Sequence, residues 1–200
     1  SMLAWKTWSK TSLEQRTKIF RKAAELLQGP WRDTINAATM LNQSKNAFQA
    51  EIDAACELID FFNFNCQYAE DIHNNQPLIS PEGVKNSLEY RPLEGFVFAI
   101  TPFNFTSIAG NLPCAPALMG NVAIWKPASS AVLPCYYLME MLKEAGLPDG
   151  VINFLPGSGS KVGDPVLTNP NLSGVHFTGS TQTFQHIWKT IGKNLSLIHI

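Results

Sequence analysis

Apolar residues in the first third of the chain recur at three- and four-residue steps, whereas from about residue 95 they gather into short unbroken runs between turn formers. The first pattern has the helical period, and the second is that of strands buried on both faces. The stretch TSLEQRTKIFRKAAELL sets Ile19, Phe20, Ala23, Leu26 and Leu27 near one face, opens with Ser12 three residues before Gln15, and stops at Gly29-Pro30. That spacing predicts a helix over Ser12–Leu27 started by a capping box. A shorter helix is expected over Arg32–Leu41 and a long one over Ala47–Ala69, with Phe48, Ile52, Ala55, Ile59, Phe62 and Cys66 read as core positions.

HNNQPLISPEGVKN, His73 to Asn86, carries turn formers and no period, so it reads as a connector. After it, strand-like runs appear at Phe96–Ile100, Val122–Trp125, Val151–Leu155 and Gly174–Phe177, with Glu89–Pro92 as an additional short strand. Each run is followed by a segment able to form a helix, and strands alternating with helices imply right-handed crossovers and a parallel sheet. The expected fold class is therefore α/β, a doubly wound Rossmann-like sheet preceded by a helical N-terminal segment. The expected organisation is N-terminal helices over 3–73 packed on the sheet, a connector over 74–87, a Rossmann-like region over 88–195 and a non-native tail, SLIHI, over 196–200.

Composition narrows the class. With 45% hydrophobic and 16% charged residues over 200 positions, the chain has the balance of a globular protein with a substantial core. Fifteen basic against sixteen acidic side chains leave a net charge of −1 with no basic stripe, which argues against nucleic acid as a partner. The apolar stretch from Gly95 to Pro134 is interrupted by prolines, asparagines and Lys126 and never offers some twenty consecutive apolar residues, so no membrane span is expected. Cys56, Cys66, Cys114 and Cys135 lack C-x-x-C spacing and sit among apolar or small residues, the setting of buried reduced thiols. No metal site is expected.

Several stretches can carry chemistry. INFLPGSGSKVGD places Gly157, Gly159 and Gly163 after a strand and before a helix, as a phosphate-binding turn requires, although the spacing is one residue longer than the dinucleotide fingerprint and a plain glycine-rich connection is the alternative. In GVHFTGSTQTFQHIWK, Gly179 allows close backbone approach while Ser180 or Thr181 caps a helix whose first N–H groups face a phosphate; an ordinary helix cap is the alternative. Lys126 ends a strand where a cation could meet a ribose hydroxyl or phosphate; a solvated lysine is the default alternative, but Pro127 fixes the backbone behind it. In TPFNFT, the Asn104 amide is a neutral donor able to stabilise an oxyanion, or else a simple helix cap.

Taken in order and at their intervals, TPFNFT, WKPASSAVLP, LPDGVINFLPGSGSKVG and FTGS resemble the aldehyde dehydrogenase superfamily. The longer strings AEIDAACELIDFFNFNCQYA, LEGFVFAITPFNFTSIAGNLPCAPALMGN and FTGSTQTF are most similar to its 1-pyrroline-5-carboxylate dehydrogenase branch, over about Ala4 to Leu195. The resemblance implies NAD-dependent oxidation of L-glutamate 5-semialdehyde, a small-molecule substrate, to L-glutamate in proline degradation. It implies a homo-oligomeric parent, in the mitochondrial matrix of a eukaryote or the cytoplasm of a bacterium.

Residue by residue, the resemblance makes Asn104 the oxyanion donor, held in aim by Phe103 and Phe105. Thr101 becomes a contact to the nicotinamide-side ribose or phosphate, and Lys126 a contact to the adenosine ribose. Gly179, Ser180, Thr181, Gln182 and Thr183 form the pyrophosphate-binding helix start, and Gly159 and Gly163 line the adenosine end. Ser129 stands where many relatives place an acid on the ribose diol; a small neutral residue repels a 2′-phosphate less, so NAD is the expected cofactor and NADP is left open. In the family the cysteine nucleophile and glutamate base follow the FTGS helix in a later segment, and none of the four cysteines here lies in the nucleophile's context. The implied chain is cut at both ends and inactive alone. The alternative is a non-catalytic nucleotide-binding or interaction module.

Overall fold

The computed structural model describes residues 1–194, so the expected tail over 196–200 lies outside the described residues. The first third is helical: α1 (Met2–Trp8), α2 (Leu13–Gln28), α3 (Arg32–Gln43), α4 (Ala47–Ala50) and α5 (Glu57–Asn74), the last two joined by a π-helical turn over Glu51–Cys56. The capping box of α2 forms as expected, Gln15 N–H donating to Ser12 Oγ and Ser12 N–H to Gln15 Oε1. The short helix α1 has no counterpart in the sequence reading.

The expected long helix is interrupted by that π-helical turn, and the interruption corrects part of the predicted core. Ala54, Ala55, Leu58, Phe62, Cys66 and Ala69 are buried, but Phe48 is 75% and Ile52 45% exposed. A π-helical turn inserts extra residues into the α-helical period, so the apolar stripe before it does not continue the one after it. Its polar side is pinned by an Arg32–Glu51 ion pair, with Asn36 Nδ2 also donating to Glu51.

The Arg32 guanidinium holds the Glu51 carboxyl below its ordinary value. A carboxylate whose folded pKa is depressed contributes stability above its unfolded value and loses it as pH falls through the folded one. Glu51→Gln is therefore expected to lower stability at pH 7 by less than about 1 kcal/mol, the ceiling for a partly exposed pair, and the loss to shrink as pH falls from 7 to 3. Urea unfolding at the two pH values measures the difference.

The sheet follows an irregular run over 75–95. Its parallel strands are β1 (Phe96–Ile100), β2 (Val122–Lys126), β3 (Ile152–Phe154) and β4 (Leu172–Phe177), in the order β3-β2-β1-β4. Ile100 stands opposite both Lys126 and Phe177, so β1, β2 and β4 end level. The chain winds outward from β1 to β3 and then returns to place β4 on the other side of β1, a topological switch point between β1 and β4. Gly95, at φ 116°, starts β1 where a Cβ would stand 2.2 Å from Asn171 O.

The predicted strand over Glu89–Pro92 does not form. Pro92 has no N–H to give a ladder, and the next residue's backbone is taken by side chains: Leu93 N–H donates to Asn121 Oδ1 at 2.8 Å, and Trp5 Nε1 to Leu93 O at 2.8 Å.

Helix α6 (Thr106–Leu118) joins β1 to β2, α7 (Val132–Glu144) joins β2 to β3, the short α8 (Asp164–Leu167) lies between β3 and β4, and α9 (Thr181–Asn194) follows β4. Pro113 and Pro116 sit inside α6. Pro116 cannot donate to Leu112 O one turn back, and His176 of β4 supplies the missing donor, its Nδ1 lying 2.8 Å from that carbonyl. At the other end of α6, Trp8 Nε1 donates to Ala117 O at 2.9 Å and Arg16 Nε to Leu118 O at 2.7 Å. The N-terminal helices thus cap the first crossover helix and share one core with the sheet. Among the described residues no helix is long and apolar enough to cross a membrane.

Candidate functional site

The level ends of β1, β2 and β4 open into a cleft of about 1060 Å³. Nine of the eleven sequence-predicted site residues line it. From the ends of β1 and β2 come Thr101, Asn104 and Lys126; from the glycine-rich turn come Gly159 and Gly163; from the start of α9 come Gly179, Ser180, Gln182 and Thr183. Thr181 lines a smaller adjoining hollow with Gly179 and Thr178. Ser129 is exposed in the 3-10 turn Ser129–Ala131, one residue beyond Ala128 of the cleft wall.

Each strand end supplies a different chemistry. Thr101 is buried, and its Oγ1 accepts a 3.0 Å hydrogen bond from Trp125 Nε1, which fixes the hydroxyl at the cleft floor while leaving its own proton to donate. Lys126 is half-buried, and burial holds its ammonium below the usual lysine value. Its Nζ donates to Pro127 O at 3.3 Å, and among the described residues it forms no ion pair with a carboxylate. A partly desolvated cation without an acid favours a ligand rich in hydroxyl or phosphate oxygens.

Asn104 lies exposed in the turn between β1 and α6. It does not cap that helix: Phe105 is the N-cap residue, and no side chain caps there. Among the described residues the Asn104 amide has no hydrogen-bonded partner, so it is available to a ligand. The two aromatic neighbours of Asn104 differ in setting. Phe103 is 63% exposed and lines the cleft. Phe105 is held, its ring 4.3 Å from Lys45 Nζ, and Lys45 is itself ion-paired with Asp53. Next along, Thr106 is buried with its hydroxyl 2.8 Å from that of Thr39 and 2.9 Å from the Gln43 Nε2 donor. Sequence periodicity carries no signal for that polar network, because it joins residues more than sixty positions apart.

The opposite wall is made of backbone. Ser180 Oγ accepts from Thr183 N–H at 3.3 Å, so Ser180 is the cap of α9. The N–H groups of Thr181 and Gln182 then point out of the first turn, a polarity that suits a phosphate. At Gly179 a Cβ would stand 2.7 Å from the Phe177 ring, so the ring and the turn approach as closely as they do only with glycine. Gly159 begins and Gly163 ends a π-helical turn over Gly159–Gly163, and a Cβ on either would meet nothing within 4 Å. That space belongs to the cleft. A floor hydroxyl, an unpaired cation, a free helix N-terminus and two glycines facing open space fit a dinucleotide.

Among the wall residues that the sequence reading missed are Asp164 at the start of α8 and His186 on α9, whose Oδ1 and Nε2 are 3.1 Å apart. The signal for Asp164 was its place beside Gly163; His186 follows Thr183 by three positions, one helical turn along the same face.

The thiols are elsewhere. Cys66, Cys114 and Cys135 are buried, and burial pushes the Cys66 thiol up to about 11 and the other two further up. Cys56, expected to be buried, is exposed at the end of the π-helical turn, where its Sγ lies 3.4 Å from Glu51 Oε1. The break in helical period turns it out of the core. Among the described residues no cysteine lines the cleft.

Known proteins share this sequence and this architecture. The mitochondrial delta-1-pyrroline-5-carboxylate dehydrogenase of Homo sapiens is 50% identical over 199 residues, covering 100% of this chain and 35% of the human protein. The mitochondrial delta-1-pyrroline-5-carboxylate dehydrogenase of Dictyostelium discoideum is 53% identical over 195 residues, covering 98% of this chain and 35% of its own length. A crystal structure of the Delta-pyrroline-5-carboxylate dehydrogenase of Mycobacterium tuberculosis bound with NAD superimposes with a TM-score of 0.95 at 56% identity, over 96% of this chain and 36% of that one. The chain thus spans about a third of the length of these relatives. The sequence profile of the aldehyde dehydrogenase family matches residues 2–200, and the chain belongs to that family.

Proposed function

We propose that the cleft binds NAD and that the chain is the cofactor-binding portion of an enzyme oxidising L-glutamate 5-semialdehyde to L-glutamate in proline degradation. The observation that carries this reading is the gathering of Thr101, Lys126, Gly163, Gly179 and Ser180 around one cleft at the switch point. The relatives named above support the substrate class. When bound, NAD supplies the hydride acceptor.

The residues of this chain bind and orient. Thr101 and Lys126 contact ribose or phosphate oxygens, the α9 N-terminus from Gly179 to Thr183 takes the pyrophosphate, and Gly159 and Gly163 admit the adenosine end. Ser129, neutral and exposed, tolerates a 2′-phosphate, so NADP binds beside NAD. Asn104 donates an amide N–H to the aldehyde oxygen as it becomes negative, a contact whose loss costs about 3 kcal/mol of barrier lowering in comparable sites. The parent assembles with copies of itself, in the mitochondrial matrix of a eukaryote or the cytoplasm of a bacterium.

One observation favours a second reading of this chain taken alone, a non-catalytic nucleotide-binding module. With no cysteine on the cleft wall among the described residues, the thiolate that attacks the aldehyde is not supplied here. Titration with NAD is expected to change the fluorescence of Trp125, whose indole is tied to Thr101 at the cleft floor. Addition of the semialdehyde is expected to yield no NADH. Formation of NADH would refute the missing thiolate, and failure of NAD to bind by calorimetry would refute the cofactor site itself.

A further inference from the structure

Helix α9 is weakly held. Ile187 is its one buried residue among those described, Phe184 is 47% exposed, and its ring lies 6.5 Å from that of Phe177. Across the cleft stands α8, one turn long, behind the glycine-containing π-helical turn. Among the described residues one side-chain hydrogen bond spans the two helices, His186 Nε2 to Asp164 Oδ1, and both partners line the cleft. Their side chains are 58% and 54% exposed, so the bridge adds little to the stability of the fold.

From this we infer that the His186–Asp164 bridge positions α9 against α8 and so sets the affinity of the cleft for the adenosine half of the cofactor. The inference rests on the NAD reading above. Without the bridge, the ligand itself must order α9, and that cost is subtracted from its affinity. With the bridge, the spacing of the two helices is fixed before binding. A nucleoside entering between them also excludes water from the bridge, which strengthens a polar contact. His186 and Asp164 are positioning residues here, acting through the separation of the helices.

The test measures affinity for NAD and for AMP, the adenosine half alone, by calorimetry. His186→Ala and Asp164→Ala are each expected to weaken both ligands two- to fivefold without lowering Tm, and the double variant to be no worse than either single one. Asp164→Asn keeps an oxygen acceptor for the imidazole and is expected to restore affinity. Unchanged affinities, additive losses in the double variant, or failure of Asp164→Asn to rescue would each overturn the inference while leaving NAD binding intact. Failure of the unaltered chain to bind either ligand would overturn the inference together with the NAD reading.

Discussion

Gly163→Leu is expected to abolish NAD binding while making the protein more stable. Gly163 has helical backbone angles, φ −66° and ψ −53°, and a glycine in a helical position costs roughly 0.8–1 kcal/mol relative to a good helix former. The first carbon of the new side chain is not blocked by the protein, since a Cβ there would have no neighbour within 4 Å. The leucine side chain would extend into the cleft that Gly163 lines, so it would exclude the ligand without disturbing the core. Tm is expected to rise or hold, and NAD affinity to fall at least about 100-fold, equivalent to about 2.7 kcal/mol. Gly192→Leu is the matched control. Gly192 lies on α9 outside the NAD cleft and likewise has no neighbour within 4 Å of a Cβ, so NAD affinity is expected to be unchanged there. Loss of affinity at both positions, or at neither, would show that the glycine-rich turn does not face the cofactor.

The turn between β3 and α8, and its place on the cleft wall, were legible from sequence. Glycines that no local turn requires, set between a strand and a helix, mark a surface that something else must approach. The sheet was legible for a separate reason: strands covered on both faces are apolar, and FVFAI is so throughout and VAIWK up to Lys126 at its end. What escaped was the product of contacts between distant residues. Glu89–Pro92 has strand-like residues but no partner strand, because Asn121 and Trp5 take the backbone groups of Leu93.

Local period also failed at Glu51–Cys56. There a π-helical turn, anchored from α3 by Arg32 and Asn36, shifted the face and left Phe48, Ile52 and Cys56 exposed. At the candidate site the same division holds. Backbone features at strand ends and helix starts follow from motif order, whereas the His186–Asp164 bridge and the Thr39–Thr106–Gln43 network depend on how helices meet.

Arg16→Ala is expected to cost about 3 kcal/mol of folding stability, although Arg16 touches neither the cleft nor an acid. Its side chain is 5% exposed, and burial pulls the guanidinium below its ordinary pKa without coming near to neutralising it. The charge is compensated by carbonyls: Nε donates to Leu118 O at the C-terminus of α6, and Nη1 donates to Thr11 O. A cation is favoured at that end of a helix, where unpaired carbonyls carry the negative pole. Truncation would take the donor from a buried oxygen, Leu118 O, and a part-buried one, Thr11 O, and hydrogen bonds to charged groups are each worth about 1.5–3 kcal/mol. Gly120, at φ 88°, lets the guanidinium lie against the chain, a Cβ there standing 3.3 Å from Arg16 Cζ. Arg16→Lys should recover part of the loss, since one ammonium lacks the rigid fork that reaches both carbonyls. Because the partners are carbonyls and not carboxylates, the loss is expected to be the same at pH 5 and pH 8 and at low and high salt, which separates it from an ion pair. Urea unfolding with an unchanged m value would measure it. A loss under 1 kcal/mol would mean that the N-terminal helices merely lie beside the sheet, whereas the expected loss makes them the clamp on the helix that begins two residues after Asn104.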